Sequence, residues 1–196
     1  MNYLITENSR CKRKPVSDGV YWPPPSVAEP VNTFRPSEKV TSLALAVLLA
    51  SLARKPLTVI TNSVTVVEQL SEAHGIEMIC LGGRFNPRFN AFFGFVCEQA
   101  ISSLRANTLF MSASTVFSGV AYHQQEDVVK TKRAPMGVAD QRVLLVDSSK
   151  FGVTALIRLA ALSDFDIVLT DSGIAPTEAE ALRQNGVNLR VAKVQQ

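Results

Sequence analysis

At 196 residues and 21.3 kDa, the chain has room for one substantial core, and 46% hydrophobic against 19% charged residues excludes a disordered protein. The formal charge of +3 is mild and much of it sits in Arg10-Cys11-Lys12-Arg13-Lys14, which reads as a solvated tail more simply than as a nucleic-acid or membrane contact. The three cysteines, Cys11, Cys80 and Cys97, show no paired or metal-type spacing. This points to a reducing compartment, with Cys80 and Cys97 expected as buried small hydrophobes.

The N-terminus lacks a signal-type apolar segment, and Leu43–Ala53 falls short of the ~20 residues that cross a bilayer, so the expectation is a cytoplasmic protein without a membrane partner. Residues 1–31 are read as a Pro-rich, basic N-terminal arm. Tyr21-Trp22-Pro23-Pro24-Pro25 and Pro30 favour an extended chain, and Trp22 is a candidate to pin it to the domain or to a neighbouring subunit.

Residues 32–196 read as one domain in which strands and helices alternate. Asn32–Phe34 is a weak strand, and Ser37 is placed to cap a helix over Val40–Leu52. Then follow a strand Leu57–Ile60, a helix Val64–His74, a strand Ile76–Leu81, a polar loop Arg84–Asn90 and a helix near Gly94–Leu104. A strand Thr108–Met111 precedes a helix at about Asp127–Ala139, bent near Pro135. Strands Val143–Val146 and Ile167–Thr170 flank a less regular stretch, and a helix Thr177–Asn185, ended by Gly186, leads to a last strand Asn188–Ala192. This alternation predicts an α/β fold with a Rossmann-like, mostly parallel sheet and helices on both faces.

Five strands finish in small or polar residues: Thr61-Asn62-Ser63, Leu81-Gly82-Gly83, Ser112-Ala113-Ser114, Asp147-Ser148-Ser149-Lys150 and Thr170-Asp171-Ser172-Gly173. A parallel sheet brings such ends to one edge, where these folds bind ligands, and their recurrence favours a small polar anion. Asp147 suits sugar hydroxyls and Lys150 suits a phosphate or enolate. The competing reading is a surface turn in which Asp147 caps Ser149 and Lys150 points to water.

Metal and nucleophile chemistry find little support. His74 and His123 have no partner at ligand spacing and are expected at the surface; no metal site and no cofactor is expected. Lys130, Lys132 and Arg133 read as a solvated basic face, from which Lys132 is able to lean over the strand ends.

Taken in order, Leu57–Ser63, Leu81-Gly82-Gly83, Leu104–Phe110, Lys132-Arg133-Ala134, Val146–Gly152, Leu162–Asp166 and Leu169-Thr170-Asp171 resemble the C-terminal effector domain of DeoR-family transcriptional regulators. The resemblance covers about Phe34 to Ala192. It implies the fold group of ribose-5-phosphate isomerase and a phosphorylated-sugar effector that releases a repressor from DNA. It carries over Asn62, Gly82, Gly83, Lys132, Asp147 and Lys150 as ligand positions, with Ser37, Thr41 and Ser42 in the first loop.

Three departures accompany it. The hydroxyl-rich first loop of the family is here Arg35–Ser42, where Glu38 brings negative charge that Lys39, Thr41 and Ser42 partly offset. Ser112-Ala113-Ser114 stands where the family commonly has Gly-x-Asp, and losing a carboxylate argues against isomerisation, which needs a base. Only the arm precedes the sheet, so a helix-turn-helix is expected to be absent, with DNA reached only through such a domain.

Three functions follow: a ligand sensor without chemistry, an isomerase-like enzyme with Asp147 or Glu126 as base and Lys150 or Lys132 stabilising an enediolate, and a scaffold that only oligomerises. The sensor is the leading expectation, as a homo-oligomer of unspecified number.

Overall fold

The computed structural model describes residues 57–192 and the backbone of residues 2–7. Trp22, Cys11, the strand Asn32–Phe34, the helix Val40–Leu52, the first-loop residues Ser37, Thr41 and Ser42, and the boundary after residue 31 lie outside the described residues.

A seven-stranded sheet is ordered β12-β11-β9-β6-β1-β2-β3. Its strands are β1 (Asn2–Glu7), β2 (Leu57–Thr61), β3 (Ile76–Cys80), β6 (Ala106–Ser112), β9 (Ala139–Leu145), β11 (Ile167–Asp171) and β12 (Leu189–Ala192). All but β1 run the same way, with parallel pairing in β2–β3, β6–β9, β9–β11 and β11–β12. The fold is therefore α/β with a mostly parallel sheet, as the alternation of elements predicts.

β1 departs from the expectation that residues 1–31 stand outside the sheet. It lies antiparallel between β2 and β6, with Tyr3 opposite Thr61 and Phe110. Tyr3-Leu4-Ile5-Thr6 is aromatic, apolar and β-branched, a composition suited to a pleated surface, and the basic and Pro-rich residues begin only beyond it. The slot it fills is where the strand order reverses, the switch point of an open α/β sheet.

Successive strand residues point to opposite faces. Leu57 and Val59 pack with Val66 and Leu70 of helix α1 (Val64–Leu70), with Phe110 and Leu145 against the same cluster. The alternate residues Ile60, Leu109, Met111, Leu144, Val146 and Val168 face the larger core. There they meet Cys97 and Ile101 of α2 (Phe95–Ser102) and Ala179 and Leu182 of α4 (Pro176–Gln184). α4 begins on Pro176, whose missing N–H is no loss in a first turn. It ends at Gly186 (φ +79°), where Gly186 N–H donates to Arg183 O and Val187 N–H to Leu182 O.

Two hairpins escape the sequence expectation. The loop Arg84–Asn90 contains β4 (Arg84–Asn86), which pairs with β5 (Ala91–Phe93). β7 (Thr115–Phe117) and β8 (Val120–His123) pair through Ser118-Gly119, both at positive φ, and β10 (Ile157–Ala161) completes a separate antiparallel sheet. A two-residue turn of that hand matches the strand twist. The helix expected to reach Ala139 stops as α3 (Glu126–Arg133). Pro135 lacks the N–H needed to continue it, and a 3-10 turn over Ala134–Gly137 follows.

Candidate functional site

The parallel strands deliver Thr61, Cys80, Ser112, Leu145, Asp171 and Ala192 to one edge, and the residues expected to bind ligand follow them. After β9 a 3-10 turn, Ser148–Lys150, folds Lys150 back into the protein. Its side chain is only 7% exposed, and Nζ lies 3.3 Å from Asp147 Oδ2. That contact lacks hydrogen-bonding geometry, and Lys150 Nζ has no hydrogen-bond partner among the described residues. A buried ammonium is costly unless paired and hydrogen-bonded. Asp147, 38% exposed, also accepts a hydrogen bond from the Ser149 hydroxyl. Half of the surface-turn reading holds, in that Asp147 bonds Ser149, but Lys150 does not point to water.

Asp171, at the end of β11, braces this turn. Its Oδ2 accepts from Ser148 N–H at 2.7 Å and its Oδ1 from Gly173 N–H at 2.8 Å. Burial works to raise the pKa of this carboxyl, but hydrogen bonds from the backbone and hydroxyl of Ser148 and from Gly173 prevail and hold it below the ordinary value. Gly173 has no room for a side chain: a Cβ there would stand 2.5 Å from Ser148 Oγ and 2.9 Å from Asp171 Oδ1.

Lys132, on α3, is 1% exposed and donates to Ser112 O at 2.8 Å and Ser112 Oγ at 3.3 Å. It does lean onto a strand end, and the basic face is otherwise divided. Lys130 pairs with Glu126 at 2.8 Å in solvent, and Arg133 donates to the carbonyls of Leu159 and Arg158.

Asn62 and Ser63 are buried beyond β2. Asn62 Nδ2 donates to Phe92 O at 2.8 Å, while Asn62 Oδ1 and Ser63 Oγ have no partner among the described residues. The β4–β5 hairpin is stitched to this loop through Phe92 N–H to Asn62 O and Val64 N–H to Asn90 O. Gly83 (φ +139°) is required by that packing, since a Cβ would come within 2.8 Å of Phe93 O; Gly82 is exposed with open space around it.

Two expectations are corrected. His123 is buried, its Nδ1 accepting from Gln125 N–H and its ring 5.7 Å from that of Phe89, because β8 carries it inward. Cys80, on the outermost strand β3, is exposed rather than buried. Cys97 is buried, and that burial, followed by the charge of Glu98, pushes its thiol up to about 11. Ser63, Thr170 and Asp171 join the edge without having been singled out. Thr170 Oγ1 is likewise buried and has no partner among the described residues. All three lie in strand-end runs visible in the sequence, but nothing local distinguishes an orphaned hydroxyl or a bracing carboxylate from ordinary turn residues.

Among the described residues no group of three or more His, Cys, Asp or Glu is placed to hold a metal ion, and no helix is long and apolar enough to cross a membrane. The assembly is a Rossmann-like domain with buried polar groups gathered at the carboxyl edge of its sheet. The chain belongs to the DeoR family: the family described as the DeoR C terminal sensor domain matches residues 41–172.

Its relatives include the HTH-type transcriptional regulator YgbI of Escherichia coli K12, 30% identical over 86% of this chain and 65% of the relative. The HTH-type transcriptional repressor GlcR of Bacillus subtilis is 30% identical over 69% of this chain and 53% of its own length. The L-fucose operon activator of Haemophilus influenzae is 32% identical over 61% and 48%. The chain thus spans about half to two thirds of the curated relatives it matches.

Proposed function

We propose that this chain is the sensor unit of a transcriptional regulator, that it binds a phosphorylated sugar at the carboxyl edge, and that it performs no chemistry on it. The observation that carries the reading is Lys150, a buried ammonium with no hydrogen bond to any described residue, beside an Asp147 carboxylate with exposed surface. Lys150 takes the phosphate as a point charge, and Asp147 accepts from sugar hydroxyls. Asn62, Ser63 and the backbone around Gly82 and Gly83 complete the polar surround, with Lys132 anchoring the end of β6 beside it. Ser37, Thr41 and Ser42 are proposed as further ligand-binding residues.

The unit extends over residues 32–196 and recruits Asn2–Glu7 into its sheet. It acts in the cytoplasm as a homo-oligomer. DNA is contacted by a helix-turn-helix domain, as the names of two relatives indicate for those proteins. The effector works by preferring one of two oligomeric or DNA-competent arrangements.

A thermal-shift screen against phosphorylated pentoses, hexoses and glycerol phosphate, with the free sugars as controls, tests the reading. A ligand at a hundredfold over its Kd adds about 2.7 kcal/mol, a rise of about 5–10 °C for a domain of this size. A shift from one phosphate ester and not from its free sugar is expected. A shift from the free sugar alone, or from none, overturns it.

A further inference from the structure

The turn that presents Lys150 is capped from outside itself. Asp147 occupies the N-cap position of Ser148–Lys150, yet its side chain makes no cap hydrogen bond. It is turned instead to the Ser149 hydroxyl and to Lys150 Nζ. The first N–H of the turn, that of Ser148, which an N-cap side chain does not reach, is taken by Asp171, 23 residues away on the neighbouring strand. Asp171 is fixed in turn by Gly173 N–H, and the two loops approach so closely that position 173 admits no Cβ against Ser148.

We propose that Asp171 is the positioning residue of the anion site: by capping the first N–H of the Lys150 turn from β11 it holds the Lys150 ammonium in place without touching the ligand. The inference rests on the sensor reading above and adds a second loop to it. It also assigns Gly173 a role, because a methyl group there crowds both Ser148 and the Asp171 carboxylate while changing no charge.

Three variants, Asp171→Asn, Asp171→Ala and Gly173→Ala, separate positioning from general stability. Two readouts are followed: hydrogen exchange of the segment 147–152, which needs no ligand, and binding of inorganic phosphate monitored by NMR titration. Asp171→Ala and Gly173→Ala are expected to speed exchange in 147–152 while leaving the β2 and β6 amides protected. They are also expected to weaken phosphate about tenfold, the scale of a lost hydrogen bond to a charged group. Asp171→Asn, which keeps an acceptor oxygen for Ser148 N–H, is expected to restore most of both.

Unchanged exchange at 147–152 in the Ala variants overturns the capping role. Faster exchange with undiminished phosphate binding overturns the link to the site. Absence of phosphate binding to the unmodified chain, with exchange altered as expected, overturns the sensor reading and the link to anion binding while leaving the clasp standing.

Discussion

Lys150→Met is expected to make the protein more stable and less able to bind. The ammonium is 7% exposed and hydrogen-bonded to no described residue. Leaving such a group unsatisfied costs about 1–3 kcal/mol, and more when charged. Attraction to Asp147 returns about 1 kcal/mol, because that side chain is well exposed and its field is screened. Methionine keeps the packed stem and discards the charge. The unliganded variant should gain about 1–2 kcal/mol, a rise in Tm of about 2–8 °C for a domain of this size. Binding of the phosphate ester should fall about 10–100-fold, the value of charge-assisted hydrogen bonds to one ammonium. Urea denaturation without ligand and calorimetric titration with it measure the two effects. A variant destabilised by more than about 1 kcal/mol, or one that binds as tightly as the parent, refutes the reasoning.

Lys132→Met should behave in the opposite sense: its ammonium is bonded to Ser112 O and Oγ, so removal takes away a buried, charge-assisted donor and lowers stability by about 1–3 kcal/mol in urea denaturation. Gly83→Ala should be destabilised by about 2 kcal/mol or more, measured the same way, since its Cβ would meet Phe93 O at 2.8 Å from a positive-φ backbone. The pH dependence follows from Asp171, whose folded-state pKa lies below the ordinary 3.8. Its contribution is complete above that value and is lost as pH falls through the folded pKa. Stability profiles from roughly pH 6 to pH 2 should therefore slope less steeply at the acid end for Asp171→Asn than for the parent.

The sheet was legible because apolar β-branched runs ending in small polar residues leave little alternative for Leu57–Thr61, Ala106–Ser112 or Ile167–Asp171. The hairpins were not, since three-residue strands such as Arg84–Asn86 carry too few residues for a period-two pattern, and Ser118-Gly119 is a quiet turn signal. β1 escaped for another reason: its place is fixed by pairing with β2 and β6, both distant in sequence. Asp147 and Lys150 could be picked from their position at a strand end, whereas the lysine's burial depends on how the turn folds. The Asp171 brace spans two strands and has no local trace. The burial of His123 has no local signal either, because it depends on the hairpin that carries β8 inward.

The most direct test of the account is a crystal structure of the chain with the phosphate ester that gives the largest thermal shift. The account predicts a phosphate oxygen about 2.7–2.9 Å from Lys150 Nζ, at the carboxyl edge, with a sugar hydroxyl on Asp147. A phosphate bound away from the Ser148–Lys150 turn, with Lys150 still unpartnered, would contradict it.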